Sequence, residues 1–197
     1  MNGHVTEHDI CCLRRMISPD LVITKAALME TLGSKVTASG FWRFFSENSP
    51  SCGAEEWNRC WCTAWGLSGE AVCAFGEDLL GNQLLVLSGR PSAFICDHEN
   101  GDCHDTELSA CDLVDAVRKH GVGWIDFYAT GASDIAQGFL EDVDWGSHLH
   151  WAHPLVLGGS VTRENATIVE RMAHLVGHRK LWQQIRGVAP GNEIHLQ

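Results

Sequence analysis

Basic side chains are scarce in this chain. Its 197 residues hold 14 Lys and Arg against 25 Asp and Glu, a formal net charge of -11. A phosphate-backbone partner wants clustered Lys and Arg, so direct nucleic-acid binding is not expected. No apolar run is long enough to cross a bilayer, and no apolar stretch follows a basic start. Neither a membrane span nor a signal peptide is therefore expected, and the expected compartment is the cytoplasm. The nine cysteines are odd in number and irregular in spacing, which reads as reduced thiols. C-x-x-C, H-E-x-x-H, P-loop, G-x-G-x-x-G and G-x-S-x-G motifs are all missing. With them go the usual sequence marks of zinc modules, nucleotide sites and serine hydrolases.

What is present is apolar and aromatic. An apolar content of 45% excludes a generally disordered chain, and eight tryptophans stand against one tyrosine. The chain is organised around VCAFGEDLLGNQLLVLSGRPSAFICD, Val72–Asp97. Three apolar runs, Ala71–Phe75, Gln83–Leu87 and Ala93–Cys96, are separated by linkers of seven and five residues. Such linkers are too short for a crossover helix, so the runs predict an antiparallel meander. Before it, Trp57, Trp61 and Trp65 recur every four residues and predict a helix over Ala54–Trp65 with one aromatic stripe packed on the sheet. After it, Leu108–His120 predicts an amphipathic helix stopped by Gly121. Weaker helix candidates are Ile10–Ile17 and Leu21–Leu32. A further helix, capped by Thr162, is expected over Arg163–Gly177, and Leu181–Ile185 as a separate last turn. Cys60, Cys62, Cys73, Cys96 and Cys111 fall in apolar surroundings and are expected in the core.

Three clusters offer metal-ligand chemistry. Asp97, His98, Cys103 and His104 lie close together, but without the paired spacing of a structural zinc site. His148, His150 and His153 form the second cluster. The first two share a strand face and the last two a helix face, so no single element presents all three. His174 and His178, at i and i+4 on a helix, form the third and lack a third ligand nearby. No metal, cofactor or catalytic residue is assigned from these patterns, and the chain is expected not to be an enzyme. The charge is the other signal. Between Arg90 and Arg163 the only Lys or Arg residues are Arg118 and Lys119, against a dozen acids. Such a field attracts a basic protein. Glu99, Asp102, Asp105, Asp142 and Asp144 lie in turns and are the candidate partner contacts, with Trp145 as an anchor.

Trp57–Asn58, Trp61, Trp65, the segment FGEDLLGNQLLV at Phe75–Val86 and the turn Asp97–Gly101 together resemble the SMI1/KNR4-like (SUKH) superfamily, in particular its relatives among bacterial immunity proteins, including those of type VI secretion. The resemblance spans about Gly40–Phe139. It implies an α+β fold, a central antiparallel meander packed by helices, over residues 1–145, with 146–197 as a helical extension on the same core. It also implies a cytoplasmic protein that binds and neutralises a cognate toxin by covering its active site. The family has no catalytic set to transfer. A regulatory or scaffold domain on the same fold is the first alternative, and a metal- or thiol-dependent hydrolase the second. Exposed Trp, Met and Leu side chains would also suit a homodimer, a choice the sequence leaves open.

Overall fold

The computed structural model describes residues 41–45, 54–66, 72–99, 101–120, 132–185 and 187–188. The expected helices over Ile10–Ile17 and Leu21–Leu32 lie outside these residues. Five strands form one antiparallel meander in the order β1 (Trp42–Phe44), β2 (Val72–Asp78), β3 (Gln83–Leu87), β4 (Ala93–Cys96) and β5 (Cys103–Asp105). The bounds of β3 and β4 coincide with the apolar runs. β2 runs three residues beyond its run because Gly76, Glu77 and Asp78 pair with β1 as well as following β3. A Cβ at Gly76 would stand 2.8 Å from the Arg43 carbonyl, so the close approach of β1 to the β2 bulge needs glycine there. β5 falls inside the stretch expected as a turn; its three residues pair with Phe94, Ile95 and Cys96 at the sheet edge.

Alternation along the strands divides the core into two clusters. Cys73, Phe75, Leu84, Val86, Ala93 and Ile95 share one, with α2 (Ala110–His120), α3 (Ala132–Gln137), Leu149 and Trp151. Val72, Ala74, Leu85, Leu87, Phe94 and Cys96 share the other, with Trp57, Trp61 and Trp65 of α1 (Ala54–Trp65) and Leu175. A sheet covered on both faces needs apolar side chains at every position, which is why the strands read as unbroken apolar runs. The three tryptophans are each no more than 4% exposed, so the stripe is core, as its spacing predicts. Asn58 locks α1 to the bulge, donating from Nδ2 to the Ala74 carbonyl at 2.7 Å and accepting the Ala74 N–H at 2.6 Å. One cysteine expected in the core, Cys111, is exposed, because it lies on the outer side of α2 while Leu113, Val114 and Val117 face inward.

The chain after 146 departs from the helical extension expected there. β6 (Ser147–Trp151) and β7 (Ala166–Glu170) form a separate two-stranded antiparallel sheet, followed by α4 (Arg171–Ile185). The Thr162 side chain accepts the Asn165 N–H as a cap should, but the capped element is a single 3-10 turn, Arg163–Asn165. The β-branched run Thr167, Ile168 and Val169 then pairs with β6. Glu170 starts the helix instead, accepting the backbone N–H groups of Met172 and Ala173 at 2.8 and 2.6 Å. Leu181–Ile185 is the end of that helix, with Trp182 packed on the α1 side of the core. The second sheet is tied to the first where Leu149 N–H donates to the Leu79 carbonyl at 2.8 Å. That tie brings β6 and α4 over the β2–β3 turn. Among the described residues no helix is long and apolar enough to cross a membrane.

Candidate metal centre

Five histidines meet where β6, α4 and the turn after β4 converge. His148 and His150 share one face of β6, His174 and His178 are one turn apart on α4, and His98 follows β4. The turn that holds His98 is built by side chains. Asp78 Oδ1 accepts the N–H groups of Leu80 and Asn82, and its Oδ2 accepts Asn82 Nδ2. Asn82 Oδ1 then accepts the His98 N–H at 2.7 Å. Gly81 sits at φ +92°, and a Cβ there would stand 3.0 Å from His148 Nδ1 and 3.3 Å from His174 Nδ1. Glycine is thus required both by the backbone and by the approach of two rings.

The ring nitrogens are close. His150 Nδ1 lies 3.0 Å from His174 Nε2 and 3.1 Å from His178 Nε2, and Glu99 Oε1 lies 3.6 Å from His178 Nε2. The other Glu99 oxygen accepts the Leu155 N–H at 3.3 Å. Glu99, His150 and His178 form one set whose ligand atoms all lie within 4.8 Å of one another, and His98, His174 and His178 form a second. The His98 Nε2 is buried without a hydrogen-bond partner among the described residues. Burial holds His98 and His174 well below the ordinary imidazole value, with the neighbouring rings adding to the effect. Burial also lowers His150, and it brings His178 to about 4. Each ring is therefore neutral near pH 7, the form that coordinates metal. Burial first, then Asp97, pushes the Glu99 carboxyl up to about 7, against the Leu155 N–H.

Behind this cluster stands a buried charge network. Glu77 is fully buried, with Arg171 Nε at 2.9 Å, His148 Nε2 at 3.2 Å and Arg43 at 3.9 Å. Burial alone would raise its carboxyl, yet His148, Arg171 and Arg43 together hold it at about 2. His148 is lowered by burial, with Glu77 opposing. An ionised Glu77 facing a neutral His148 fixes the tautomers in turn. The proton of His148 sits on Nε2, toward Glu77, and leaves Nδ1 as an acceptor. His174 Nδ1, 3.1 Å away, must then be the donor. Its Nε2 is left with a lone pair turned toward His150 Nδ1, 3.0 Å away. A carboxylate thus orients a candidate ligand through one intervening ring.

The cation of Arg171 also lies 3.6 Å over the Trp57 ring. Trp57 Nε1 donates to Gln83, whose amide donates to Glu77 at 3.2 Å. Trp57 and Gln83, parts of the sequence signature, therefore hold the site from behind.

The sequence clusters contribute unequally. His98 comes from the first, His148 and His150 from the second, and His174 and His178 from the third, while Cys103, His104 and His153 belong to neither ligand set. Cys103 instead meets Cys96 across the β4–β5 ladder, Sγ to Sγ 2.7 Å. Among the candidate partner contacts, Glu99 stands at the histidine cluster, Asp102 and Trp145 are half-buried, and Asp105, Asp142 and Asp144 are exposed. The expectation that this chain is not an enzyme is corrected by the two ligand sets. Side chains up to 80 residues apart in sequence are placed to coordinate a metal ion, which gives the chain a candidate catalytic centre. Glu77 and Arg171 carried no signal beyond being charges inside or beside apolar runs.

A cavity of about 350 Å³ opens on His150, His174 and His178. Leu157, Val169 and Leu181 are among its walls.

No protein-family profile matches the chain, and no curated protein matches it in sequence. The crystal structure of Atu4351 from Agrobacterium tumefaciens is similar over 90% of this chain and 82% of its own, with 17% identity and a TM-score of 0.55. A likeness at that identity is one of fold, and the fold that both the likeness and the strand order support is α+β, an antiparallel five-stranded meander packed by helices.

Proposed function

We propose that the chain is a metal-dependent hydrolase whose metal, zinc first among candidates, is held by His98, His174 and His178 with Glu99 beside the open position. The observation that carries this is the convergence of three neutral, buried rings whose ligand atoms all lie within 4.8 Å of one another, with His98 Nε2 left without a hydrogen-bond partner among the described residues. A single cation satisfies all three. Ligands at about 2.0–2.1 Å around tetrahedral zinc lie about 3.3–3.4 Å apart, inside the 4.8 Å that bounds this set. Imidazole nitrogens suit zinc, and neither ligand set contains a cysteine. Bound zinc supplies an activated water near neutral pH. Glu99, held by the Leu155 N–H within reach of His178, is placed to take and return the proton.

Elemental analysis of the purified chain should find about one equivalent of a divalent transition metal. His178→Ala should lose it. Glu99→Gln should keep the metal and lose about 100-fold or more in hydrolysis of an activated ester. A chain that takes up no zinc above the level of the His178→Ala variant overturns the proposal.

A second reading has its own observation. Asp105, Asp142 and Asp144 are exposed, as a surface that steers a basic protein requires. The SMI1/KNR4-like resemblance supports a cognate toxin as that protein. Changing the three residues to Asn should slow association with a captured basic toxin and flatten its salt dependence. An unchanged salt slope removes the steering role.

A further inference from the structure

The cavity beside the histidines has a definite chemistry. Pro154, Leu157, Val169, Ala173 and Leu181 make its wall, with His150, His174 and His178 at one side, and no Lys, Arg, Asp or Glu lines it. Apart from a metal held by the histidines, no cation lines the cavity to pair with a carboxylate or phosphate on the part of a substrate that occupies it. Glu99, next to His178, would repel either. The remaining lining residue is Gly177, exposed in the interior of α4. Glycine is unfavourable in a helix interior. Gly177 has no positive φ to require it, and a Cβ there would meet nothing within 4 Å. Its effect is to leave the wall open. A cavity of about 150 Å³ already admits benzene, so this one, at about 350 Å³, holds an aryl ring or a short alkyl chain with room to spare.

We propose that this cavity is the subsite for an apolar, uncharged group, so that the substrate of the centre is a neutral ester or amide with a short aliphatic or aryl chain. The identity of the reacting bond rests on the hydrolase reading above; the apolar subsite rests on the cavity wall.

The test measures binding of butanamide, pentanamide and hexanamide, and of the matching carboxylates, to the full chain freed of metal by chelator. Affinity for the amides should rise about fourfold per added methylene, and the carboxylates should bind at least about tenfold more weakly. Gly177→Leu, which restores a good helix former while filling the cavity, should abolish amide binding. Val176→Leu, beside it and outside the cavity, should not. A flat amide series, carboxylates bound as tightly as amides, or full binding by Gly177→Leu each overturns the subsite. Amide binding without zinc uptake or ester hydrolysis leaves the subsite standing and removes the hydrolase. Zinc-dependent hydrolysis indifferent to chain length does the reverse.

Discussion

Glu77→Gln is expected to cost about 3–5 kcal/mol of folding stability, because it strips the counter-charge from Arg43 and Arg171 inside the core. Arg43, Glu77 and Arg171 are all 2% exposed or less, so water does not compensate the loss. Arg43 keeps the Ser147 and Val143 carbonyls, at 2.7 and 3.3 Å, and Arg171 keeps the faces of Phe45 and Trp57. Those contacts place the variant toward the lower end of the range. The same change should weaken zinc binding by about 10–100-fold, the usual effect of losing a carboxylate that orients a ligand histidine. A neutral Gln can present its amide N–H to His148, which frees His148 Nε2 to accept and reverses the tautomers down to His174. Urea denaturation of the metal-free chain measures the first effect. Competition with a zinc indicator, at a temperature where the variant is folded, measures the second. Stability lost with zinc affinity unchanged would mean that Glu77 only balances charge and does not orient His174.

The meander and the two helices flanking it were legible because each is fixed by local pattern. Unbroken apolar runs with short polar linkers leave one pairing, and tryptophans at every fourth residue leave one helix face. The bounds of α1, β3 and β4 follow from those patterns alone. β7 was not legible, because Ile168, Val169, Met172 and Leu175 match a helical period across what is in fact a strand followed by a helix. Only pairing with β6 decides it, and β6 is a tertiary fact. The site suffered most from the same limit. Each histidine cluster was visible, and each looked incomplete, since no element presents more than two ligands. The missing ligands come from other elements, carried together by the contact of Leu149 with Leu79 and by the ion pair of Arg171 with Glu77. Glu99 was singled out for its charge and its place in a turn. Nothing local showed that Leu155 and His178 would meet it.

The metal-free chain should lose stability as pH falls from 6.5 toward 4. His178 titrates at 6.5 when unfolded and at about 4 when folded, so between those values the unfolded chain binds the extra proton and is favoured. That one ring withdraws about 3 kcal/mol across the interval, at about 1.4 kcal/mol per pH unit. His98, His148, His150 and His174 are shifted in the same direction by burial and add to the slope. Glu99 acts against them. Its carboxyl ionises at 4.5 when unfolded and at about 7 when folded, so its contribution falls as pH rises through that range. Several histidines oppose one carboxyl, and the net slope stays positive. Glu77 has the sign of the histidines in a lower window, its contribution being lost between 4.5 and about 2. Thermal melts from pH 4 to 7.5 in the presence of chelator should therefore show a midpoint rising steeply to about pH 6.5 and then levelling. Glu99→Gln should steepen the rise, and saturating zinc should lift the curve most at the high end, where the ligands bind metal without first releasing protons. A midpoint independent of pH between 4.5 and 6.5 would show that the folded chain takes up protons as readily as the unfolded one, and that burial does not hold these rings neutral.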